Sequence, residues 1–213
     1  MKKIALILCL MMAVVTSNAQ GTGDTPSQER RGLFDKNKTK KDKTVDSKYL
    51  VGACPVVAGK IQWDTTIEAP GVSADALYKK VLSCLTAFCK GPEMMEFSKV
   101  SLANEETHEI GARIQEWLVF EKKPLSLDRT KFNYQLVVTC KDGACSVVMR
   151  NLSYIYEEDR GGGQFPAEDL ITDEEALTKT KDGFRKGGVR KFRMKTIDRK
   201  DYIFSLIAEA VKK

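Results

Sequence analysis

A run of basic residues near the C-terminus is the part of this sequence that most suggests a binding surface. Residues 179–200 hold ten lysines and arginines against Asp182 and Asp198. A basic helical face can bind lipid head groups, an anionic glycan or an acidic protein. The candidate contacts to such a surface are Arg185, Lys186, Arg190, Lys191 and Arg193. The alternative is a solvated helix face that pairs in part with the acidic segment before it, residues 157–175.

No set of residues meets the needs of catalysis. A general acid–base pair needs two carboxyls held at a defined separation, and the helix dipole explains carboxylates at a helix start such as Asp173 and Glu174. Nucleophilic catalysis needs a base, usually histidine, and His108 is the only histidine. No C-x-x-C pair suggests a metal site, and the glycine-rich runs lack the Lys-Ser/Thr ending of a phosphate-binding loop. We predict no enzyme, no cofactor and no metal.

Two cysteines flank a predicted hairpin turn. Asp142-Gly143 lies between two alternating apolar runs, which is a strong signal for a two-residue hairpin loop. Cys140 and Cys145 are then a non-hydrogen-bonded pair with Cα atoms about 4.5 Å apart, within the disulfide range of roughly 4.4–6.8 Å. We predict a disulfide between them.

A second disulfide is predicted between Cys54 and Cys89. The first helix should run back along its strand, and this brings Cys89 towards Cys54. Cys84 lies on the same helix as Cys89, too far around its axis to pair with it, and would remain a free buried thiol.

The elements that position these residues begin with a strand and a helix. Residues 60–68 alternate between apolar and polar side chains, which is typical of a half-buried strand. Ser73 is then placed to cap a helix. Its buried stripe follows helical spacing and consists of Leu77, Val81, Cys84, Leu85 and Phe88.

Four more strands and the C-terminal helices follow. The strands are predicted at residues 97–103, 109–120, 130–140 and 145–156. Thr172 and Glu175 form a capping box for a helix that glycines interrupt, and a last helix is predicted from about Asp198. Segregated strands and helices predict an α+β domain in β-α-β4-α order, an antiparallel sheet with helices on one face.

The N-terminus has the pattern of a cleavable signal peptide. Lys2 and Lys3 precede an apolar run of about a dozen residues, whereas a membrane-spanning helix needs roughly 20. Small residues end the segment, so Gln20 is predicted to start the mature chain. We therefore expect residues 1–19 to be a signal peptide, 20–48 a flexible charged tether and 49–213 one α+β domain. The expected location is the periplasm, the outer membrane surface or the extracellular space, with no transmembrane span in the mature chain.

Most of the net positive charge lies outside that domain. The whole chain carries a formal charge of +6, while residues 49–213 hold 25 basic and 24 acidic side chains. A nucleic-acid-binding domain usually has a clear excess of positive charge. We therefore expect no nucleic-acid partner.

Several stretches of the sequence resemble a known bacterial envelope family. The most specific is residues 125–136 (LSLDRTKFNYQL), supported by residues 59–63, 70–73, 140–143 and 171–173. The family is domain of unknown function 4468 (DUF4468), with a TBP-like fold, and the resemblance covers roughly residues 50–212. It implies a β-α-β4-α arrangement and no activity.

Two function classes therefore remain. The first is a non-catalytic interaction module of the cell envelope, whose partner is a protein, a glycan or a lipid head group. The second is a carrier of a small apolar ligand. A curved, helix-grip-like sheet around the C-terminal helix could leave a pocket lined by Trp63, Tyr134 and Phe204. An enzyme is kept only as a formal alternative.

Overall fold

The structure, a computed structural model, describes residues 45–157 and 161–212. These residues belong to a compact unit that spans Lys43–Lys213. The predicted signal peptide and most of the predicted tether lie outside the described residues. The end of that tether is part of the domain, because residues 47–49 form a short 3₁₀ helix in which Tyr49 is buried.

An antiparallel sheet is the centre of the domain. Its strands are β3 (Trp63–Glu68), β4 (Lys99–Asn104), β5 (Glu109–Lys123), β6 (Ser126–Lys141), β7 (Ala144–Tyr156) and β8 (Gly163–Pro166). They are ordered β3-β7-β6-β5-β4, and β8 pairs with the far end of β7. A separate two-stranded hairpin consists of β1 (Val56–Val57) and β2 (Lys60–Ile61). The predicted α+β class and antiparallel sheet are confirmed, and β3, α1, β4–β7 and the C-terminal helices follow the predicted order along the chain, with β1, β2 and β8 in addition.

Four helices complete the fold of the described residues: α1 (Ala74–Phe88), α2 (Glu168–Ile171), α3 (Asp173–Ala176) and α4 (Val189–Lys212). Ser73 caps α1 as predicted, because its hydroxyl accepts from the backbone N–H of Ala76 at 3.3 Å. Thr172 caps α3 in the same way, but α3 is a single turn. None of the described helices combines the length and the apolar character needed to cross a membrane.

The last helix begins nine residues before the predicted start at Asp198. It follows Gly187 and Gly188, whose φ angles of 104° and 87° favour glycine. The first turns of α4 are rich in arginine and lysine, yet they bury Phe192, Arg193 and Thr196. The charged first turns of α4 therefore also contain a stripe of residues that faces the core.

The core lies between one face of the sheet and the helices α1 and α4. Three aromatic rings join sheet and helix. Phe132 and Tyr154 stack with centroids 5.2 Å apart, and Tyr154 meets Phe192 of α4 edge-on at 5.0 Å. The Tyr154 hydroxyl is 2.7 Å from the hydroxyl of Thr196, which satisfies the buried polar group.

The predicted hairpin forms between β6 and β7. Cys140 pairs with Cys145 and Lys141 with Ala144, and Gly143 has a φ of 79°. Asp142 at the tip accepts from the backbone N–H of Ala74 at 2.8 Å. The hairpin loop therefore also fixes the start of α1.

Arg193 of α4 is fully buried and joins three parts of the chain. Its guanidinium donates to the carbonyl oxygens of Tyr49 at 2.7 Å, Ile171 at 2.6 Å and Leu50, and to the carboxylate of Asp173 at 2.7 Å. The same carboxylate accepts from the backbone N–H of Gly52 at 2.8 Å. One side chain thus holds the N-terminal segment, the α2–α3 corner and α4 together.

Replacing Arg193 by Met should lower the free energy of unfolding by about 3–5 kcal/mol, because three carbonyls lose a buried donor and the partly buried carboxylate of Asp173 loses its paired charge. Urea unfolding followed by circular dichroism measures this. The matched control is Arg190→Met, which changes an exposed arginine three residues away and should shift stability by no more than about 0.5 kcal/mol. Equal effects of the two substitutions would contradict this role of Arg193.

Candidate functional site

One face of the sheet has no helix packed on it among the described elements, and we call it the open face. The helices lie on the side where alternate residues such as Ile114, Phe132 and Tyr154 are buried. The side chains between them point the other way, and nearly all of these are exposed or half-buried. Neighbouring strands are about 4.8 Å apart, so these outward side chains form rows across the sheet.

The first row carries three positive charges, and we call Lys99, Arg113 and Arg150 the basic row. Lys99 of β4 pairs with Arg113 of β5, and both Arg113 and Arg150 pair with Gln135 of β6. All three cationic side chains are exposed. The Cα atoms of Arg113 and Arg150 are two strands apart, which corresponds to about 10 Å.

A bulge in β7 places Arg150 in this row. Between Asn133 and Gln135 of β6 the register on β7 jumps from Ser153 to Arg150, and Asn151 has a φ of 57°. Arg150 and Asn151 are therefore both exposed, and Asn151 donates from Nδ2 to Oε1 of Gln135 at 2.8 Å.

The next row consists of polar side chains without charge, and we call Gln115, Asn133 and Ser153 the amide row. Gln115 Nε2 donates to Asn133 Oδ1 at 2.8 Å, and Asn133 Nδ2 donates to Ser153 Oγ at 3.3 Å. These bonds fix the orientation of both amides. Each amide keeps a second N–H, and Ser153 keeps its hydroxyl proton, for a ligand.

An aromatic–cation stack lies beyond the amide row. The guanidinium carbon of Arg129 lies 3.6 Å from the ring centroid of Trp117, which is an attractive cation–π arrangement. Trp117 is half-buried and pairs with Lys131 of β6. Arg129 is six residues from Gln135 along β6, which places it about 20 Å from the basic row.

The open face is hollowed at both of these places. A hollow of about 350 Å³ beside the basic row is lined in part by Phe97, Arg113 and Gln135. A hollow of about 670 Å³ at the other end is lined in part by Trp117 and Arg129. Volumes of this size are typical of ligand sites.

The arginines of the open face are not neutralised within the described part of the chain. Arg113, Arg129 and Arg150 form no ion pair with any residue in 45–157 or 161–212. Exposed and unpaired guanidinium groups can donate two parallel hydrogen bonds to a carboxylate or a phosphate. The open face is therefore the candidate site for an anionic ligand.

The five basic residues predicted to contact an anionic surface do not form one face. Arg193 is fully buried in the contacts described above, so its assignment to such a surface is corrected. Arg185, Lys186 and Arg190 are exposed. Arg185 donates from Nε to the carbonyl oxygen of Leu177 at 2.9 Å and lies 3.9 Å from Glu175.

Lys191 is half-buried, and its charge is paired within the domain. Its ammonium group donates to Asp128 at 2.8 Å and to the Tyr156 hydroxyl at 2.6 Å, and lies 4.4 Å from the Tyr156 ring centroid. Burial by itself would lower the pKa of Lys191, but the hydrogen bonds to Asp128 and Tyr156 outweigh it and leave the pKa raised. Lys191 therefore stays charged and ties α4 to the β5–β6 hairpin.

A buried ion pair occupies the other side of α4. Glu116 of β5 is 1% exposed, receives two hydrogen bonds from Arg199 of α4, and accepts from the Tyr134 hydroxyl at 2.8 Å. Burial, and then the charge of Glu116, raise the pKa of Tyr134. Because both Glu116 oxygens are bonded, the carboxylate fixes α4 to the sheet rather than offering an acid or base to a substrate.

The predicted pocket between sheet and C-terminal helix is filled. Trp63 and Tyr134 are 6% and 2% exposed, and the Trp63 indole N–H donates to the carbonyl oxygen of Ala53 at 2.8 Å. Phe204 is half-buried on α4, and the seam contains Ile203 and Ile207. The prediction that Trp63, Tyr134 and Phe204 line an apolar pocket is corrected, because their own domain fills the space.

Cys140 and Cys145 are buried neighbours, and the structure holds them as thiols. Their Sγ atoms are 3.0 Å apart. The backbone N–H of Cys140 donates to the His108 carbonyl on the β5 side, so the two cysteines are the non-hydrogen-bonded pair that the sequence predicts. Their shared hydrogen bond raises the pKa of Cys140 and lowers that of Cys145.

The predicted Cys54–Cys89 bond is not formed in the structure, where both residues are free thiols. Cys54 is buried beside Arg193, and burial raises its pKa to about 12. Cys89 follows α1 and precedes the segment in which Met94 bridges to β5. The half-buried Cys84 lies 4.0 Å from the carbonyl oxygen of Leu206.

The acidic residues near α2 and α3 have structural partners. Glu168 accepts from the backbone N–H of Ile61 at 2.8 Å, Asp173 binds Arg193, and Glu174 lies 3.6 Å from Lys181. His108 packs edge-on against Tyr78 with centroids 5.9 Å apart. Within residues 45–157 and 161–212, no three His, Cys, Asp or Glu side chains come together as metal ligands.

The residues that the sequence reasoning missed are those of the open face. Their signal was present in the alternation of β5 and β6, where Arg113, Gln115 and Trp117 occupy the positions between buried residues. Alternation within one strand shows that these positions face outward, whereas the register between strands decides which charges and rings lie side by side.

Comparison with known proteins gives a family and a fold. The family model described as "Domain of unknown function (DUF4468) with TBP-like fold" matches residues 63–155. A crystal structure of a DUF4468 family protein from Bacteroides ovatus ATCC 8483 is 35% identical, with a TM-score of 0.74. The match covers 80% of this chain and 97% of that chain. No curated protein matches the sequence.

A second solved structure supports the fold alone. It is a TBP-like protein from Parabacteroides distasonis ATCC 8503, 17% identical, with a TM-score of 0.55. The match covers 74% of this chain and 96% of that chain.

Proposed function

Because the chain belongs to the DUF4468 family, a family of unknown function with a TBP-like fold, we propose a function from the site alone: a non-catalytic, exported module that binds an anionic component of the cell envelope through the open face. The observation that carries this proposal is the unpaired state of Arg113, Arg129 and Arg150 among the described residues. The partner is an envelope component, and the location is the periplasm or the cell surface.

The contrast with the basic run of α4 supports the choice of the open face. Arg193, Arg199 and Lys191 each bind a carboxylate of their own domain. A cation that is already paired gains little from a second anion, whereas an unpaired exposed cation exchanges only water and counterions for its ligand. The open face therefore offers the stronger attraction even though α4 has more positive charges.

A non-catalytic role is supported by the state of the buried acidic group. Glu116 is bonded on both oxygens by Arg199 and Tyr134. The hollows of the open face are lined by side chains that recognise ligands by charge and hydrogen bonds. This is the chemistry of a binding protein.

Export also supports a disulfide between Cys140 and Cys145. Their Sγ atoms are already neighbours at 3.0 Å, so a small rotation of the side chains would join them. The two thiols would lose two protons and two electrons to a thiol–disulfide oxidoreductase of the compartment.

The protein isolated from its compartment should carry this bond. Mass spectrometry of the unreduced protein, blocked with N-ethylmaleimide after unfolding, should find the Cys140–Cys145 peptide lighter by two hydrogens and without label. The other cysteines of the mature chain should all be labelled. Cys54 serves as an internal control, since its buried thiol with a pKa of about 12 should react only after unfolding. Labelled Cys140 and Cys145 would contradict both the bond and the oxidising compartment.

Replacing two open-face arginines should release the protein from envelopes. The double variant Arg113→Gln/Arg150→Gln should lose most of its co-sedimentation with envelope fragments of the producing bacterium at low salt. The matched control Lys186→Gln/Arg190→Gln removes the same charge from exposed positions outside the sheet and should sediment like the wild type. Binding of the wild type should fall as salt rises, because exposed charges are screened. Loss in the control, or none in the open-face variant, would contradict the proposal.

A further inference from the structure

We infer that the anionic ligand of the open face is an acidic polysaccharide that bears carboxylate groups and lies along β6. This inference rests on the proposed function and names its ligand class. The arginines of the open face stand at two separate places. The basic row lies at one end, and Arg129 lies about 20 Å away along β6. A compact anion would contact only one of these places. An extended polymer with repeated charges would contact both.

The surface between the two places is suited to hydroxyl groups. The amide row spans β5, β6 and β7 between the cations, and its bonds from Gln115 to Asn133 and from Asn133 to Ser153 hold the side chains in one orientation. The second N–H of each amide and the Ser153 hydroxyl then face the ligand as donors. A chain of sugars offers hydroxyls along its length, and pre-oriented partners bind it with little loss of side-chain freedom.

The Trp117–Arg129 pair at the far end of the open face is suited to bind a carboxylate carried by a sugar ring. The Arg129 guanidinium carbon lies 3.6 Å from the Trp117 ring centroid, and this contact restricts the movement of its planar fork of donors before the ligand arrives. A carboxylate can accept two parallel hydrogen bonds from such a fork. The hollow of about 670 Å³ beside it also contains Ser126, whose hydroxyl can bond to ring hydroxyls. Of the carboxylates in its lining, Asp128 is paired with Lys191 and Glu121 with Lys123.

Other macromolecules fit the open face less well. An extended peptide would add to an unpaired strand edge such as β4 rather than lie across the face. A membrane surface calls for an apolar face that inserts below the head groups, whereas the central rows here are amides and arginines. These partners are alternative outcomes of the test.

The test measures binding of the full mature chain to four polymers at low salt by isothermal titration calorimetry. The probes are polygalacturonate, hyaluronate, polygalacturonate with methyl-esterified carboxyls, and poly-L-glutamate. The expected result is binding to at least one of the first two, about tenfold or more tighter than to the methyl ester and to poly-L-glutamate. The methyl ester removes only the charge, and poly-L-glutamate keeps the charge but lacks sugar hydroxyls.

Variants assign the binding to its residues. Arg113→Gln/Arg150→Gln and, separately, Arg129→Gln should each weaken the binding of the preferred polysaccharide about tenfold, while Lys186→Gln/Arg190→Gln should not. Asn133→Ala should weaken it severalfold and leave any weak binding to poly-L-glutamate unchanged. Circular dichroism melts confirm that each variant is folded.

The outcomes separate this inference from the proposed function. Equal or tighter binding to poly-L-glutamate, equal binding to the methyl ester, or no binding to either acidic polysaccharide overturns the glycan assignment. In those cases, envelope co-sedimentation that still depends on Arg113 and Arg150 leaves the proposed function standing. If co-sedimentation does not depend on them, both ideas fail.

Discussion

The buried guanidinium of Arg193 is the contact on which the arrangement of this domain depends. A buried arginine is stable only when its donors are all bonded and its charge is paired, and here three backbone carbonyls and Asp173 do this. The carbonyls come from parts of the chain more than 100 residues apart. The docking of residues 47–50 and of the short α2–α3 corner against α4 therefore depends on one charge. The Lys48 and Tyr49 side chains extend the same contact to Asp198.

This constraint also explains where the domain can bind a partner. α4 carries many positive charges, but Arg193, Arg199 and Lys191 bind carboxylates from three different elements. The helix with the most cations is thus anchored by them. The open face has fewer cations, yet Arg113, Arg129 and Arg150 pair with none of the described acidic residues. The nearly neutral domain therefore still has a local positive surface, and local pairing matters more for binding than the total charge.

The sequence pattern predicted those parts of the fold that depend on short-range rules. Alternation identified the strands, Ser73 marked the start of α1, and Asp142-Gly143 fixed the register that brings Cys140 opposite Cys145. The start of α4 does not follow from such rules, because its first turns are rich in charged residues and yet Arg193 faces the core. No local pattern shows that a carboxylate and three carbonyls will meet it.

The candidate site could be predicted only in part, for a related reason. Its residues occupy outward positions of strands that the sequence did identify. Their arrangement, however, depends on the pairing of four strands and on the bulge at Asn151, which adds one residue to β7 and brings Arg150 into line with Arg113. Register between strands is set by packing across the whole sheet, so the pattern within each strand shows which side chains point outward but not which of them share a row.

The central claim is that Arg113, Arg129 and Arg150 of the open face meet the ligand, while Arg193 and Arg199 of α4 hold the fold. The direct measurement is a side-chain NMR titration that follows the arginine Nε–Hε signals as envelope polysaccharide is added. The account predicts shifts for Arg113, Arg129 and Arg150, with Arg193 and Arg199 unchanged. Shifts confined to arginines of α4, or none on the open face when binding is saturated, would contradict it.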